Sequence, residues 1–251
     1  MNLHLLHRQV DACKDEIRNI RETLHSHPEL GFQEYNTARL IVDVLKKQGY
    51  YDIRTGIAQT GVMATVHGAR SGPVIMLRVD MDAMEGMDDS LTASYTSKNK
   101  GICHSCGHDV HTALGIGVAG ILMQNRALLH GAAKFFFQPS EERPLKEQDP
   151  LPYDFYTEPP TGQRGASLAM KAGILENPRV DRLLGIHCWP LLDAGYIGYQ
   201  YGAAMAGTGN FHISIMGQSG HAGMPHKAVD AIAIAAQVIS GLQVAVNRRI
   251  N

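Results

Sequence analysis

The chain has 251 residues, of which 44% are hydrophobic and 19% are charged, so it is long enough to bury a sizeable core. Its 23 basic and 24 acidic side chains give a formal net charge of −1, which excludes the basic surface typical of proteins that bind nucleic acids or anionic membranes. Four cysteines are too few for a disulfide framework, and no apolar run reaches the roughly 18 residues that span a bilayer. We therefore expect a cytoplasmic globular protein with no nucleic-acid or membrane partner.

Helices and strands are predicted to alternate along the chain. Apolar residues at steps of three and four predict helices over residues 10–24, 38–45, 111–129, 166–174 and 228–246. Short apolar or alternating runs bounded by glycine and proline predict strands over residues 62–68, 74–81, 132–138, 182–189, 194–202 and 210–218. Residues 85–101 are polar and irregular, which indicates a loop. This alternation favours an α/β fold with helices on the faces of a sheet.

The domain organisation changes near residue 208. Before that point, residues 143–164 carry five prolines and no periodicity, which is typical of an ordered lid or a flexible insertion. From Gly209 a half-exposed strand and a long apolar helix begin a further unit that has no second strand to close it. We therefore predict a first domain over residues 1–207 and the beginning of a second over residues 208–251, in a sequence that looks cut in mid-domain.

The segment CHSCGHDVH, residues 103–111, concentrates metal-binding side chains: two cysteines, three histidines and an aspartate in nine positions. A closed zinc site usually takes two separated ligand pairs, but the other cysteines, Cys13 and Cys188, stand alone. A redox pair of Cys103 and Cys106 would leave the histidines without a role. An open site of thiolate, imidazole and carboxylate ligands fits the segment best, with the closed zinc site and the redox pair as alternatives.

Acidic and imidazole side chains also follow three predicted strands. Asp80 and Asp82 end one apolar strand, Glu141 and Glu142 follow another, and His187 lies at the end of a third. Ligands of open α/β sheets bind outside the carboxyl ends of the strands. Each group also has an ordinary explanation, as a solvated strand end, a surface pair or a core histidine. Together they predict a metal-dependent hydrolase, in which one glutamate ligates metal and the other accepts a proton from water.

Six motifs in a fixed order carry a resemblance to a known family: LHSHPELGFQE, LRVDMDAM, CHSCGHDVHTA, FFFQPSEE, GIHCWP and GQSGHAGMPHKAVDA. The sequence resembles the aminoacylase, hippurate hydrolase and indole-acetyl-amino-acid hydrolase type of metallo-amidohydrolases, which are relatives of dinuclear carboxypeptidases and dipeptidases. The resemblance runs over essentially the whole chain. It implies a zinc-peptidase-like catalytic domain, a mixed sheet flanked by helices, over residues 1–207. Residues 208–251 would begin an inserted α+β lid or dimerisation domain.

The resemblance also implies roles for individual residues. The implied metal ligands are Cys106, His108, Glu142 and His187. Glu141 is similar to the general base of the family, and Asp82 to a carboxylate that orients a metal ligand. His221 is similar to a lid-domain histidine that reaches into the site of a partner subunit and stabilises the tetrahedral intermediate.

The implied reaction is hydrolysis of the amide bond of an N-acyl amino acid or related small conjugate by attack of a metal-bound water. Two divalent ions, zinc, manganese or cobalt, would be the cofactors, and the full-length enzyme would be a homodimer. The family has one more metal-binding histidine near its C-terminus, with no counterpart here. One alternative is therefore a catalytically incomplete metal-binding fragment or scaffold. Another is a redox protein that uses Cys103 and Cys106.

Overall fold

The protein is described by a computed structural model over residues 3–88, 93–142, 164–203 and 213–249. Its helices are α1 (Leu3–Ser26), α2 (Tyr35–Lys47), α3 (His108–Gln124), α4 (Gly165–Lys171) and α5 (Ala231–Arg249). Its strands are β1 (Ile53–Ile57), β2 (Gly61–His67), β3 (Arg70–Asp80), β4 (Met84–Glu85), β5 (Ile102–Cys103), β6 (His130–Gln138) and β7 (Arg182–Gly185). None of the described helices is both long and apolar enough to cross a membrane.

The main sheet has five strands in the order β1-β2-β6-β3-β7. Strands β1, β2 and β6 pair antiparallel, whereas β3 pairs parallel with both β6 and β7. In this register Asp80 lies opposite Gln138, and Arg78 lies opposite both Phe136 and Gly185. The carboxyl ends of three neighbouring parallel strands therefore meet at one edge of the sheet, where ligands of α/β proteins bind.

Successive phenylalanines of β6 show how the sheet is covered on both faces. Phe135 and Phe137 belong to a buried cluster shared with α1, α2 and α3, whereas Phe136 belongs to a second cluster that includes Ala169 of α4. Successive side chains of a strand point to opposite faces, so the two clusters lie on opposite sides of the sheet. Burying each ring contributes roughly 1.5–3 kcal/mol. The predicted mixed α/β sheet flanked by helices is confirmed.

Contacts divide the chain into two compact units. The first comprises Met1–Pro150 and Pro159–Ile197, and the second comprises Leu151–Glu158 and Gly198–Asn251. Within the described residues, all seven strands and helices α1 to α4 belong to the first unit, and α5 belongs to the second. The predicted boundary between residues 207 and 208 stays a prediction.

The five predicted helices are confirmed with shifted ends, but two predicted strands differ from the structure. Residues 194–202 form no strand. An alternating pattern of apolar residues does not by itself provide a neighbouring strand for backbone hydrogen bonds, and the apolar Ile197 of this segment is 95% exposed. In the segment 210–218, the first three residues lie outside the described part and only Gln218 makes an isolated bridge, to Val229. The sequence patterns also miss β1 and the short β4–β5 pair. The proline-rich residues 143–163 lie outside the described part.

Candidate metal centre

The carboxyl ends of β3, β6 and β7 and the beginning of α3 bring most of the predicted site residues together. Asp82 follows β3 by two residues, and His187 follows β7 by two. Glu141 and Glu142 come three and four residues after the end of β6. His108 is the first residue of α3, and the preceding Gly107 has a φ of 80°, a left-handed conformation that glycine adopts without steric cost.

His108 lies at the centre of this group and is almost fully buried. Its Nδ1 donates to the carbonyl oxygen of Asp82 at 3.0 Å and to the Oδ1 of Asp82 at 3.1 Å. Its Nε2 is buried without a hydrogen-bond partner among the described residues. That nitrogen lies 3.7 Å from Asp80 Oδ1 and 3.8 Å from Glu142 Oε1. A buried imidazole nitrogen that faces carboxylates and lacks a partner is the arrangement expected of a metal ligand.

The charge around His108 also favours a cation. Burial opposes protonation, but the hydrogen bond to Asp82 and the carboxylates of Asp80, Asp82 and Glu142 outweigh it and raise the pKa of His108. Carboxylates also act on Cys106, where burial and then the neighbouring Glu142, with smaller contributions from Asp80 and Glu141, raise the pKa of the thiol to about 12. The negative charge of the carboxylates keeps protons on the imidazole and the thiol. The same charge would stabilise a divalent ion bound to these groups in place of the protons.

His108 belongs to three groups of metal-binding atoms among the described residues, and two of these groups contain the predicted ligands. In each group the atoms lie within 4.8 Å of one another: Cys106, His108 and His187 form one group, and His108, Glu141 and Glu142 form the other. The Cys106 Sγ lies 3.6 Å from His187 Nε2. The structure therefore brings the four predicted ligands together as a set of sulfur, nitrogen and oxygen donors, which suits a borderline cation such as zinc. Their roles as ligands stay predictions.

A third group, Asp80 with His108 and His111, is a hydrogen-bonded support. His111 Nδ1 donates to Asp80 Oδ1 at 2.6 Å, and its Nε2 accepts from the backbone N–H of Cys188 at 2.8 Å. Both ring nitrogens are occupied, so His111 has no lone pair left for a metal. Burial opposes ionisation of Asp80, but His111, His108 and Arg78 outweigh it and lower its pKa to about 2. This supporting role of His111 was missed, although its position one helical turn after His108 places both on one face of α3.

Asp82 connects two of the predicted ligands. Its Oδ1 accepts from His108, and its Oδ2 accepts from the backbone N–H of Glu142 at 3.0 Å. Asp82 is 1% exposed, so water does not compete for either contact. This geometry is what a carboxylate that orients metal ligands requires, and the predicted role of Asp82 is consistent with it.

Not every polar residue of CHSCGHDVH points to this site. Asp109 Oδ2 accepts a hydrogen bond from His25 Nδ1 at 2.7 Å and forms an ion pair with Arg21, whose Nε lies 2.8 Å away, and these contacts connect α3 to α1. His104 is buried, and burial lowers its pKa to about 4. Cys103 is buried in β5, and the four cysteines of the chain are free.

His221, the predicted lid histidine, belongs to the second unit. It is exposed, and its Nδ1 accepts from the backbone N–H of Gly223 at 3.0 Å, within a short turn before the 3₁₀ helix Pro225–Lys227. Within the described part of the chain, its Nε2 makes no hydrogen bond. The role predicted for His221 stays a prediction.

Comparisons with known proteins show which family the chain belongs to. The model of Peptidase family M20/M25/M40 matches residues 76–249. The N-acyl-L-amino acid amidohydrolase of Geobacillus stearothermophilus is 38% identical over 244 residues, which cover 97% of this chain and 60% of that protein. The YXEP protein of Bacillus subtilis, described as a dinuclear metal binding peptidase from the M20 family, is 35% identical, with a TM-score of 0.64 over 76% of this chain and 47% of that one.

A putative aminohydrolase from methicillin-resistant Staphylococcus aureus is 27% identical, with a TM-score of 0.77 over 100% of this chain and 61% of that one. The chain spans about half the length of the curated relatives it matches, from 48% to 60%. The resemblance to metallo-amidohydrolases is confirmed, because the family model covers well over half of the chain and the relatives extend the match to nearly all of it. The chain belongs to the peptidase family M20/M25/M40.

Proposed function

We propose that this protein is a metal-dependent amidohydrolase that cleaves the amide bond of an N-acyl amino acid or a related small conjugate. The observation that carries the proposal is the buried Nε2 of His108, which lacks a partner among the described residues and faces the carboxylate of Glu142. The thiol of Cys106 and the imidazole of His187 lie in the same cluster. Similarity to a named N-acyl-L-amino acid amidohydrolase supports hydrolysis over a non-catalytic binding role.

We infer that the site binds two divalent ions, of zinc, manganese or cobalt. The similarity to a peptidase described as dinuclear supports this number. The residues that would hold the ions are Cys106, His108, Glu142 and His187. A thiolate and imidazoles favour such cations over magnesium or calcium, which prefer oxygen ligands alone.

Glu141 is proposed as the general base. When bound, divalent ions in such a site lower the pKa of water and polarise the carbonyl of an amide. Glu141 is half-buried beside Glu142, and its carboxylate would take a proton from the attacking water and return it to the leaving amine. Its backbone carbonyl accepts from Arg164 Nη1 at 2.9 Å, which restrains the position of Glu141.

Two further residues would assist this reaction. Asp82 would keep His108 and Glu142 in the orientation described above. His221 would stabilise negative charge on the carbonyl oxygen, from the lid of a partner subunit in a homodimer. A cytoplasmic location and a catalytic domain over residues 1–207 complete the proposal.

The test is metal-dependent hydrolysis by the purified protein. The protein is stripped with a chelator, reloaded with zinc, manganese or cobalt, and assayed for release of the free amino acid from N-acetyl, N-benzoyl and indole-acetyl amino acids. We expect turnover that disappears on chelation and returns with at least one metal. The variant Glu141→Gln serves as the control, because it should retain the metal without turnover. Hydrolysis that persists without metal, or no hydrolysis of any substrate by metal-loaded protein, would overturn the proposal.

A further inference from the structure

The motif LHSHPELGFQE has two glutamates, and the structure gives them different contacts. The Oε1 of Glu29 accepts from the backbone N–H of Asn36 at 3.1 Å, and its Oε2 accepts from the backbone N–H of Thr37 at 2.9 Å. These are orphan donors of the first turn of α2, so Glu29 caps that helix. None of its described contacts involves the metal-binding cluster.

Glu34 contacts the chain immediately before the two glutamates of the site. Its Oε1 accepts from the backbone N–H of Ser140 at 2.8 Å, across a sequence separation of 106 residues. Its Oε2 accepts from Thr60 Oγ1 at 2.6 Å. Glu34 is fully buried, so its carboxylate is held by these two donors without competition from water.

Ser140 has a backbone conformation that needs such support. Its φ is 46°, in the left-handed region, which costs a residue other than glycine about 1 kcal/mol or more. Glu34 binds its N–H, and its carbonyl oxygen accepts from the backbone N–H of Gly165 at 3.1 Å. Gly31 lies so close to the Ser140 hydroxyl that a Cβ at that glycine would overlap with Ser140 Oγ. The conformation is therefore determined by neighbours from two other parts of the chain, residues 31–34 and Gly165.

The direction of the chain at Ser140 decides where the following carboxylates lie. Two residues later, the backbone N–H of Glu142 donates to Asp82 Oδ2, and the Glu142 carboxylate lies 3.8 Å from His108 Nε2. We propose that Glu34 is a positioning residue for the metal centre, which acts through Ser140 to hold Glu141 and Glu142 in place. The inference depends on the proposed function only for what the two glutamates bind.

The experiment compares Glu34→Ala with Glu34→Gln and with the control Glu29→Ala, which removes a carboxylate from the same motif. Zinc is titrated calorimetrically into each metal-free protein, and amide hydrogen exchange is followed at residues 140–142. Glu34→Ala should bind zinc about 10- to 100-fold more weakly and lose protection at Ser140. The zinc affinity of Glu34→Gln should stay within about threefold of the wild-type value, because the amide oxygen of glutamine can still accept from the N–H of Ser140.

Glu29→Ala should lower the melting temperature through the lost cap and leave zinc affinity and exchange at Ser140 unchanged. Gly31→Ala covers the case in which Glu34→Ala does not fold. It displaces Ser140 while Glu34 remains, so it should weaken zinc binding in the same direction. The inference would be overturned if folded Glu34→Ala had the zinc affinity and the hydrogen exchange of the wild type. It would also be overturned if Glu34→Ala and Glu29→Ala changed zinc affinity and exchange equally. If the wild type binds no zinc, the proposed function is contradicted. If Glu34→Ala alone still alters hydrogen exchange at residues 140–142 in that case, the positioning role of Glu34 is supported.

Discussion

The Nδ1 of His108 donates to Asp82 Oδ1 across 3.1 Å, and this contact determines which imidazole nitrogen faces the metal-binding cluster. Because Nδ1 donates to Asp82, Nε2 is the nitrogen that remains available to a metal, and it lies 3.8 Å from Glu142 Oε1. The second oxygen of Asp82 binds the backbone of Glu142. One buried carboxylate therefore contacts two of the predicted ligands.

Replacement of Asp82 by alanine should free both of these ligands. We expect zinc affinity to fall by about 10- to 100-fold, as is typical when the partner of a metal-binding histidine is removed. The zinc affinity of Asp82→Asn should lie between that of Asp82→Ala and that of the wild type. Its amide oxygen can accept from His108, but its amide nitrogen is a donor that would face another donor, the N–H of Glu142. Calorimetric titration measures both, and wild-type affinity in Asp82→Ala would exclude the orienting role.

The two adjacent glutamates should respond differently to the same substitution. Glu141→Gln should keep its metal and lose about 10²- to 10⁴-fold in turnover, since only a proton acceptor is removed. Glu142→Gln should lose metal, because a predicted ligand is removed. Elemental analysis and the hydrolysis assay on the same preparations separate the two outcomes. Full turnover by Glu141→Gln would refute its role as the base.

The cysteines of CHSCGHDVH provide a matched pair of variants. Cys106→Ser should lose bound metal, since the Cys106 Sγ belongs to the ligand cluster. Cys103→Ala should retain it, because Cys103 is buried in β5 and takes part in none of the metal-binding groups within the described residues. Metal content per chain is the measurement. Equal loss in both variants, together with a reversible disulfide, would favour the redox alternative.

Burial of Glu34 should make stability depend on pH. Burial raises the pKa of Glu34 to about 7, and the charge of Asp82 adds to the increase. The hydrogen bonds from Thr60 and Ser140 lower the pKa but do not outweigh burial. The carboxyl is therefore harder to ionise in the folded protein, so its contribution to stability is fully present below pH 4.5 and is lost as the pH rises to about 7. The full change corresponds to about 3 kcal/mol.

Comparison with Glu34→Gln isolates this effect, because the variant has no carboxyl at that position and shares all other titrating groups. Denaturant unfolding of the metal-free proteins should show the wild type losing stability relative to the variant as the pH rises from 4.5 to about 7. Asp80 does not interfere, because its pKa is lowered to about 2 and its favourable contribution is lost only below about pH 4. A difference in stability that stays constant with pH would show that Glu34 ionises normally.

Strand ends were the part of the site that the sequence could predict. Asp82, Glu142 and His187 each follow an apolar run, and the parallel order of β6, β3 and β7 brings those ends to one edge. The contacts that support them could not be predicted, because they join distant parts of the chain. The pairing of Glu34 with Ser140 is an example, since nothing local to either residue indicates the other.

The metal-binding segment shows the opposite limitation. Its composition indicates a metal site, but Cys106 and His108 reach that site while Asp109 contacts α1. Helix geometry separates neighbours, since successive side chains of a helix point in different directions. The prediction of a strand over residues 194–202 is wrong, because alternation of side chains indicates which residues would share one face of a strand and does not indicate which strand would pair with it.

X-ray absorption at the zinc edge of the zinc-loaded protein tests the proposed centre most directly. We predict sulfur at about 2.3 Å together with nitrogen and oxygen ligands at about 2.0–2.2 Å, with no more than one sulfur per chain. The sulfur signal should disappear in Cys106→Ser. A wild-type spectrum with only nitrogen and oxygen ligands, or with two or more sulfurs per zinc, would contradict a metal centre built on Cys106, His108, Glu142 and His187.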